Sequence, residues 1–151
     1  MAFLGEHLCS LDNKGRLKLP VGLKSQLAPE NNGRFVLNRG FEKCLTLYPW
    51  DEWQRISAKV NKLNTFVKKN RDFARFFFRG ATELVLDSTD RLNLPKHLMD
   101  LAGIKNEALL TARANIIEIW EPKAYEAVVN EDSDQYSDLA GEVMGDINFD
   151  E

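Results

Sequence analysis

Alternating apolar and polar side chains predict short β-strands along most of this chain. In residues 16–19 leucine alternates with arginine and lysine, and in residues 91–94 it alternates with arginine and asparagine. Successive side chains of a strand point to opposite faces, so the leucines would share one face of each strand and the polar groups the other. Apolar segments at 35–37, 45–47 and 117–119 predict further strands.

Short helices are predicted directly after the two alternating segments. Pro20 and Pro95 suit the first turn of a helix, where the missing N–H costs nothing. The helices would cover 20–27 and 95–102, and Gly103 would provide a left-handed cap at the end of the second.

Two longer helices are predicted between the alternating segments. The first follows Pro49 and has an apolar side at helical spacing, made of Trp53, Ile56, Val60 and Leu63. The second covers about 70–79 and includes three consecutive phenylalanines, residues 76–78. These spread over about 200° of the helix circumference, so one core face cannot bury all three. Either the helix is sandwiched within the protomer, or one phenylalanine meets a neighbouring subunit.

An internal repeat organises the chain. "LDNKGRLKLP" at 11–20 returns as "LDSTDRLNLP" at 86–95, with six of ten letters identical at an offset of 75. With a few residues lost, 44–53 aligns with 116–125. Each half is predicted to contain a strand, a turn with Asp and Arg, a strand, a short helix and two more strands. A half of about 50 residues buries too little apolar surface alone, so the halves are expected to share one core.

The repeated turns differ in charge. Asp12 favours turn initiation, and Gly15 fits a position with positive φ, where the second turn has Asp90. Residues 12–18 hold three basic groups and one acid, whereas residues 87–93 hold one basic group and two acids.

These motifs, together with "FLGEH", "GFEKCLTLYP", "FFFRGA" and "EIWEPKAYE", resemble the MraZ family of bacterial transcriptional regulators through about residues 3–127. The resemblance implies an α+β fold, mainly β with short helices, in which two tandem AbrB-like swapped-hairpin units form a pseudo-two-fold β-barrel. It also implies a homo-oligomeric ring that binds double-stranded DNA at direct repeats in the promoter of its own division and cell-wall operon.

Four segments follow from the repeat and the resemblance. They are a first AbrB-like DNA-binding repeat at 6–53, a helical linker at 54–81, a second repeat at 82–125 and an acidic tail at 126–151. The tail has apolar residues at spacings that hint at a weak amphipathic helix, namely Tyr136, Leu139, Val143 and Ile147. Because it has few strong apolar residues and many acids, we expect it to be disordered.

The first turn is the main candidate for DNA contact. Lys14, Arg16 and Lys18 would reach phosphates, or a base edge, from a hairpin entering a groove. Asp12 would orient Arg16. The alternative is that Arg16 pairs with Asp12 and only stabilises the turn.

The second turn repeats this arrangement in a weaker form. Arg91 corresponds to Arg16, and Asp87 would orient it as Asp12 orients Arg16. Asp90 adds a negative charge beside Arg91, so we expect the first repeat to provide most of the DNA affinity.

The small overall charge conceals an uneven distribution of charge along the chain. The formal net charge is −3, yet residues 55–79 hold eight basic side chains and one acid, and residues 126–151 hold nine acids and no base. Such asymmetry favours an anionic partner for one face. Arg34 and Arg39 could lie near that face or be solvated loop charges.

Other kinds of chemistry are disfavoured. Asp12 and Asp87 stand beside arginines, which lower a carboxyl pKa, so a catalytic pair is not expected and we predict that the chain is not an enzyme. His7 and His97 lack ligand spacing, so no metal site, cofactor or small-molecule substrate is predicted. Two cysteines and no long apolar run indicate a cytoplasmic protein without a membrane partner. The resemblance to a DNA-binding family implies in addition that it is nucleoid-associated.

The sequence, with the family resemblance, therefore predicts a sequence-specific DNA-binding regulator. The resemblance implies that it acts on its own operon, and repression is the expected outcome. The alternative is an antitoxin-like or other protein-interaction module on a swapped-hairpin fold.

Overall fold

The computed structural model describes residues 3–130 and 133–145. Its first half contains, in chain order, β1 (Phe3–Ser10), β2 (Arg16–Lys18), α1 (Val21–Lys24), a 3-10 turn (Pro29–Asn31), β3 (Arg34–Arg39) and β4 (Leu45–Pro49). Two linker helices follow, α2 (Trp50–Asn61) and α3 (Lys68–Phe78). The second half contains β5 (Thr82–Val85), β6 (Arg91–Asn93), α4 (Lys96–Leu101), β7 (Glu107–Ala114), β8 (Ile116–Trp120), α5 (Pro122–Val129) and α6 (Ser133–Met144).

The predicted short helices form, but the first is shorter than expected. After Ser25 the backbone N–H groups of Gln26 and Leu27 bond to carbonyls three residues back, so the helix tightens and α1 ends at Lys24. In the second half α4 ends at Leu101 and Gly103 takes φ +69°, which confirms the predicted left-handed cap.

The two halves exchange strands. A six-stranded antiparallel sheet has the order β1-β7-β8-β4-β3-β5. The first strand of each half therefore pairs with the third strand of the other half, β1 with β7 and β5 with β3, while β4 and β8 join the halves at the centre. Each half by itself pairs only two strands, β3 with β4 or β7 with β8, and the six-stranded sheet needs both halves. This confirms two tandem, interdependent units of a mixed fold.

A separate two-stranded ribbon lies on the pseudo-two-fold axis. Leu17 of β2 pairs with Leu92 of β6, and the neighbouring pairs are symmetric about them. The N–H of Leu19 donates to the carbonyl of Asp90 at 2.8 Å, and its counterpart, the N–H of Leu94, donates to that of Gly15 at 3.0 Å. Residues 75 positions apart in the sequence are thus related by a rotation about the pseudo-two-fold axis.

One core serves the whole molecule. Leu17 and Leu92 are fully buried and belong to the same apolar cluster as Leu47, Leu110 and Ile117 of the sheet. The ribbon thus packs its leucine face against the sheet. Among the described residues the strand pairing ends at β1 and β5, so hydrogen bonding alone does not close the sheet into a barrel.

The linker helices divide the three phenylalanines between inside and outside. Phe77 stacks on Trp53 with ring centroids 5.6 Å apart and planes 6° apart, and Phe78 meets the same indole edge-on at 5.8 Å. Phe76 remains 65% exposed. The sandwich within the protomer therefore accounts for two of the rings and leaves the third free for another contact.

The expectation of a disordered tail is wrong for most of its length. Glu121 caps α5 by accepting a hydrogen bond from the N–H of Ala124 at 2.7 Å, with Pro122 at the first helical position. A second helix, α6, covers Ser133–Met144. Tyr125 also anchors α5, because its ring meets that of Trp120 at 5.5 Å and its hydroxyl donates to Glu6 at 2.7 Å. In α6, by contrast, Tyr136 and Leu139 remain exposed. The predicted apolar position at 147 lies outside the described residues.

Candidate nucleic-acid interface

The first turn is built around the carboxylate of Asp12. Its Oδ1 accepts hydrogen bonds from the backbone N–H groups of Lys14 and Arg16, both at 2.9 Å, and its Oδ2 accepts one from Nε of Arg16 at 2.7 Å. Gly15 closes the turn with φ +77°. Hydrogen bonds to the ionised form lower the pKa of Asp12, above all the one from the backbone of Arg16.

The second turn repeats this geometry. Oδ1 of Asp87 accepts hydrogen bonds from the backbone N–H groups of Thr89 at 2.9 Å and Arg91 at 3.0 Å, and Oδ2 accepts one from Nε of Arg91 at 3.0 Å. The backbone bond from Arg91 is the main reason that the pKa of Asp87 falls to about 2. Asp90 occupies the closing position with φ +63°, as the sequence comparison predicted from Gly15.

Pairing of β2 with β6 brings the two motifs onto one surface. Lys18 lies opposite Arg91, and Arg16 lies opposite Asn93. Since the intervening leucines face the core, these polar side chains share the outward face of the ribbon. Nη1 of Arg91 lies 3.9 Å from Oδ2 of Asp12, so the second motif touches the first. We call this surface, formed by Arg16, Lys18 and Arg91, the cationic ribbon.

The aspartates leave most of each guanidinium available. Among the described residues, Nε is the one nitrogen of the Arg16 guanidinium that Asp12 engages, and the other nitrogens of that guanidinium make no hydrogen bond. The Arg16 side chain is 30% exposed and that of Arg91 32%. Stabilising the turn and presenting donors to solvent are therefore compatible, and the two interpretations of Arg16 do not exclude each other.

Asp90 has a partner that sequence reasoning missed. Nζ of Lys24, in α1 of the first half, donates to Oδ2 of Asp90 at 2.7 Å. The pseudo-symmetric position of Lys24 is Met99, whose Sδ would lie 3.4 Å from a Cβ built on Gly15. On one side of the axis Gly15 lies beside Met99. On the other side the equivalent residues, Asp90 and Lys24, form an ion pair. The only signal in the sequence was a simultaneous break in the repeat at both positions.

The other arginines considered from the sequence have structural partners. Arg34 pairs with Glu83 and lies over the ring of Trp50, 3.5 Å from its centroid. Arg39 donates from Nη2 to the carbonyl of Phe76 at 2.6 Å, at the end of α3. Both side chains therefore join elements of the fold.

Further groups examined in the sequence fall outside this surface. Cys9 and Cys44 are buried and unbridged, and burial raises the pKa of Cys44 to about 12. Within residues 3–130 and 133–145, no three His, Cys, Asp or Glu side chains gather as a metal site would require. The helices of that same part of the chain are all too short or too polar to cross a membrane.

Comparison with known proteins places these features in a family. The family described as "MraZ protein, putative antitoxin-like" matches residues 2–76 and again residues 77–143. A protein of Christiangramia forsetii named "Transcriptional regulator MraZ" is 45% identical over 148 residues, covering 97% of this chain and 96% of its own. Proteins of the same name from Flavobacterium psychrophilum and Halothermothrix orenii are 44% and 34% identical, covering 98% and 91% of this chain and 95% and 94% of theirs. Two matches in tandem and relatives similar over nearly their whole length establish that this chain belongs to the MraZ family.

Proposed function

We propose that this protein is a transcriptional regulator that binds double-stranded DNA through the cationic ribbon. The observation that supports this most is the alignment of Arg16, Lys18 and Arg91 on one exposed face of a two-stranded ribbon whose other face is anchored in the core. The major groove admits a two-stranded ribbon, and β-ribbons are an established way to read DNA. The names of the relatives agree with this role.

The residues of the ribbon and of its turns have distinct parts in the proposed contact. Lys18 of the ribbon and Lys14 of the first turn neutralise backbone phosphates, whereas Arg16 and Arg91 offer donors in a planar fork that suits a phosphate or a guanine edge. Asp12 and Asp87 hold those forks in place through Nε. The ordered side chains lose less conformational entropy when DNA binds than free arginines would.

The same geometry argues for binding rather than catalysis. Asp12 and Asp87 are held ionised by hydrogen bonds from their own turns, so neither can donate a proton near neutral pH. The proposed function needs no cofactor and no small-molecule substrate. Such a protein would act in the cytoplasm, at the nucleoid.

We further propose that several protomers act together as a ring on direct repeats in the promoter of the protein's own division and cell-wall operon, which they repress. One ribbon makes few ionic contacts, but a second ribbon on a linked protomer binds at high effective concentration. The exposed ring of Phe76 is the proposed contact with a neighbouring protomer. Repeat spacing would then add to specificity.

The decisive experiment is a fluorescence-anisotropy titration of the full chain against DNA upstream of its own gene, with scrambled DNA as control. Arg16→Ala should weaken specific binding at least tenfold, since each good arginine contact is worth about 1–3 kcal/mol and several protomers lose it. Circular dichroism and sedimentation should remain unchanged. No binding of the wild type at low salt, or equal binding by the variant, would overturn the proposal.

A second candidate function is an antitoxin-like protein-interaction module. The family description includes that term, and α6 presents Tyr136, Leu139 and Val143 exposed at helical spacing. A small protein that co-purifies with the full chain in defined stoichiometry, and is lost when these three residues become serine, would favour this candidate.

A further inference from the structure

An open groove lies beside the first turn, at the end of the cationic ribbon. Lys14 contributes from the turn, Lys96 from the start of α4, and Lys105 from the loop between α4 and β7. We call this feature, defined by those three residues, the lysine groove. Its volume of about 580 Å³ is many times the roughly 30 Å³ of one water, so it admits a segment of polymer backbone.

The lysine groove joins the two halves of the chain. Lys14 belongs to the first half, and Lys96 and Lys105 belong to the second. The halves meet here because the carbonyl of Gly15 accepts a hydrogen bond from the N–H of Leu94. No single repeat contains the groove, and repeat-by-repeat comparison of the sequence therefore could not find it.

The groove has no cationic counterpart across the pseudo-two-fold axis. The offset of 75 places Thr89 opposite Lys14 and Val21 opposite Lys96. The hydrogen bonds Leu11 N–H to Asn106 O and Leu86 N–H to Gly33 O, both 2.9 Å, are equivalent, so Lys105 corresponds to Asn32. Three lysines at the first turn thus correspond to threonine, valine and asparagine at the second.

The charge of the lysine groove is largely uncompensated. Within the described residues the ammonium groups of Lys14 and Lys105 have no ion pair, and that of Lys96 has a distant one, 3.6 Å from Oδ1 of the exposed Asp100. The carboxylate lining the groove, that of Asp12, is already bonded to Arg16. At the opposite end Lys24 pairs with the negative charge of Asp90.

We propose that the lysine groove binds the sugar–phosphate backbone of DNA, so that each protomer grips DNA at the first-turn end of its ribbon. This rests on the proposed function and adds to it a backbone site and a direction. The cationic ribbon alone is nearly symmetric about its axis and would approach DNA equally with both ends. Lysines at one end only should hold the first-turn end closer to the phosphates than the second-turn end.

The test measures the salt dependence of binding to the upstream DNA. The groove variant, Lys96→Gln/Lys105→Gln, removes two positive charges from the lysine groove. The matched control, Lys59→Gln/Lys62→Gln, removes two exposed positive charges, one from α2 and one from the residue after it. Each lost phosphate contact changes the log–log slope by about 0.9. The groove variant should reduce the slope by at least about one and weaken binding to specific and scrambled DNA alike. The control variant should keep the wild-type slope and affinity.

The direction is tested with a DNA-cleaving iron chelate attached at one of two equivalent exposed turn positions, Asn13→Cys or Ser88→Cys. Cleavage from position 13 should be strong and from position 88 weak; equal cleavage would contradict the proposed direction. If Arg16→Ala abolishes binding while the groove variant keeps the wild-type slope, only the lysine groove is rejected. If the wild type does not bind DNA at all, the proposed function itself fails.

Discussion

Lys24 and Asp90, 66 residues apart, are joined by a 2.7 Å ion pair between Nζ and Oδ2. The contact connects α1 of the first repeat to the turn of the second, where Arg91 emerges onto the cationic ribbon. It occupies the place that Met99 and Gly15 occupy on the other side of the axis. The second repeat thus accommodates a carboxylate at its closing position through a lysine supplied by the first.

Removing the lysine should expose that carboxylate to DNA. Lys24→Gln is expected to weaken binding two- to fivefold, the size of effect typical of a partly exposed ion pair of up to about 1 kcal/mol. Lys24→Gln/Asp90→Gly should restore wild-type affinity, because glycine also suits φ +63°. Anisotropy titration checks both variants. If the double variant still binds DNA more weakly than the wild type, Lys24 contacts DNA itself and does not act through Asp90.

Asp87 should contribute a pH-dependent share of stability. Its pKa is about 2 in the folded chain against an ordinary value of 3.8, so its contribution is fully present above the ordinary value and is lost as the pH falls from 3.8 to about 2. Asp87→Asn should lower the urea midpoint near neutral pH, and its difference from wild type should shrink across that window. If the difference in urea midpoint between the variant and the wild type stays constant down to about pH 2, the lowered pKa of Asp87 is contradicted.

Leu17 tests whether the two halves share one core. It is fully buried and lies opposite Leu92 at the centre of the ribbon. Leu17→Ala should cost about 2–5 kcal/mol of the free energy of unfolding. The loss should appear as one cooperative transition, measured by denaturation followed by circular dichroism. The control Val21→Ala, at a 78% exposed position, should change stability by less than about 0.5 kcal/mol.

Phe76 and Phe77 should separate assembly from folding. Phe76→Ser should reduce the mass of the assembly in sedimentation without lowering the unfolding midpoint, because its ring is 65% exposed. Phe77→Ser should lower the midpoint, because its ring stacks between Phe73 and Trp53. If Phe76→Ser leaves the mass unchanged, the proposed contact between protomers is wrong.

Local features of the molecule could be predicted because neighbours in the chain determine them. The period of two in residues 16–19 places Leu17 inside, and a turn closed by an aspartate involves only five consecutive residues. The tail was the exception. Its acidic composition favoured disorder, yet a capping glutamate and a proline start α5, and α6 follows.

By itself, the sequence determined the alternating strands, the two Asp-to-Arg turns, the repeat and the family, since each depends on residues close together or on a regular offset. Only the tertiary structure decided that both turns share one surface, that Lys24 meets Asp90, and that three lysines from two repeats line one groove. The physical reason is the strand exchange. It packs each half against the other, so every composite surface joins side chains whose proximity no local pattern encodes.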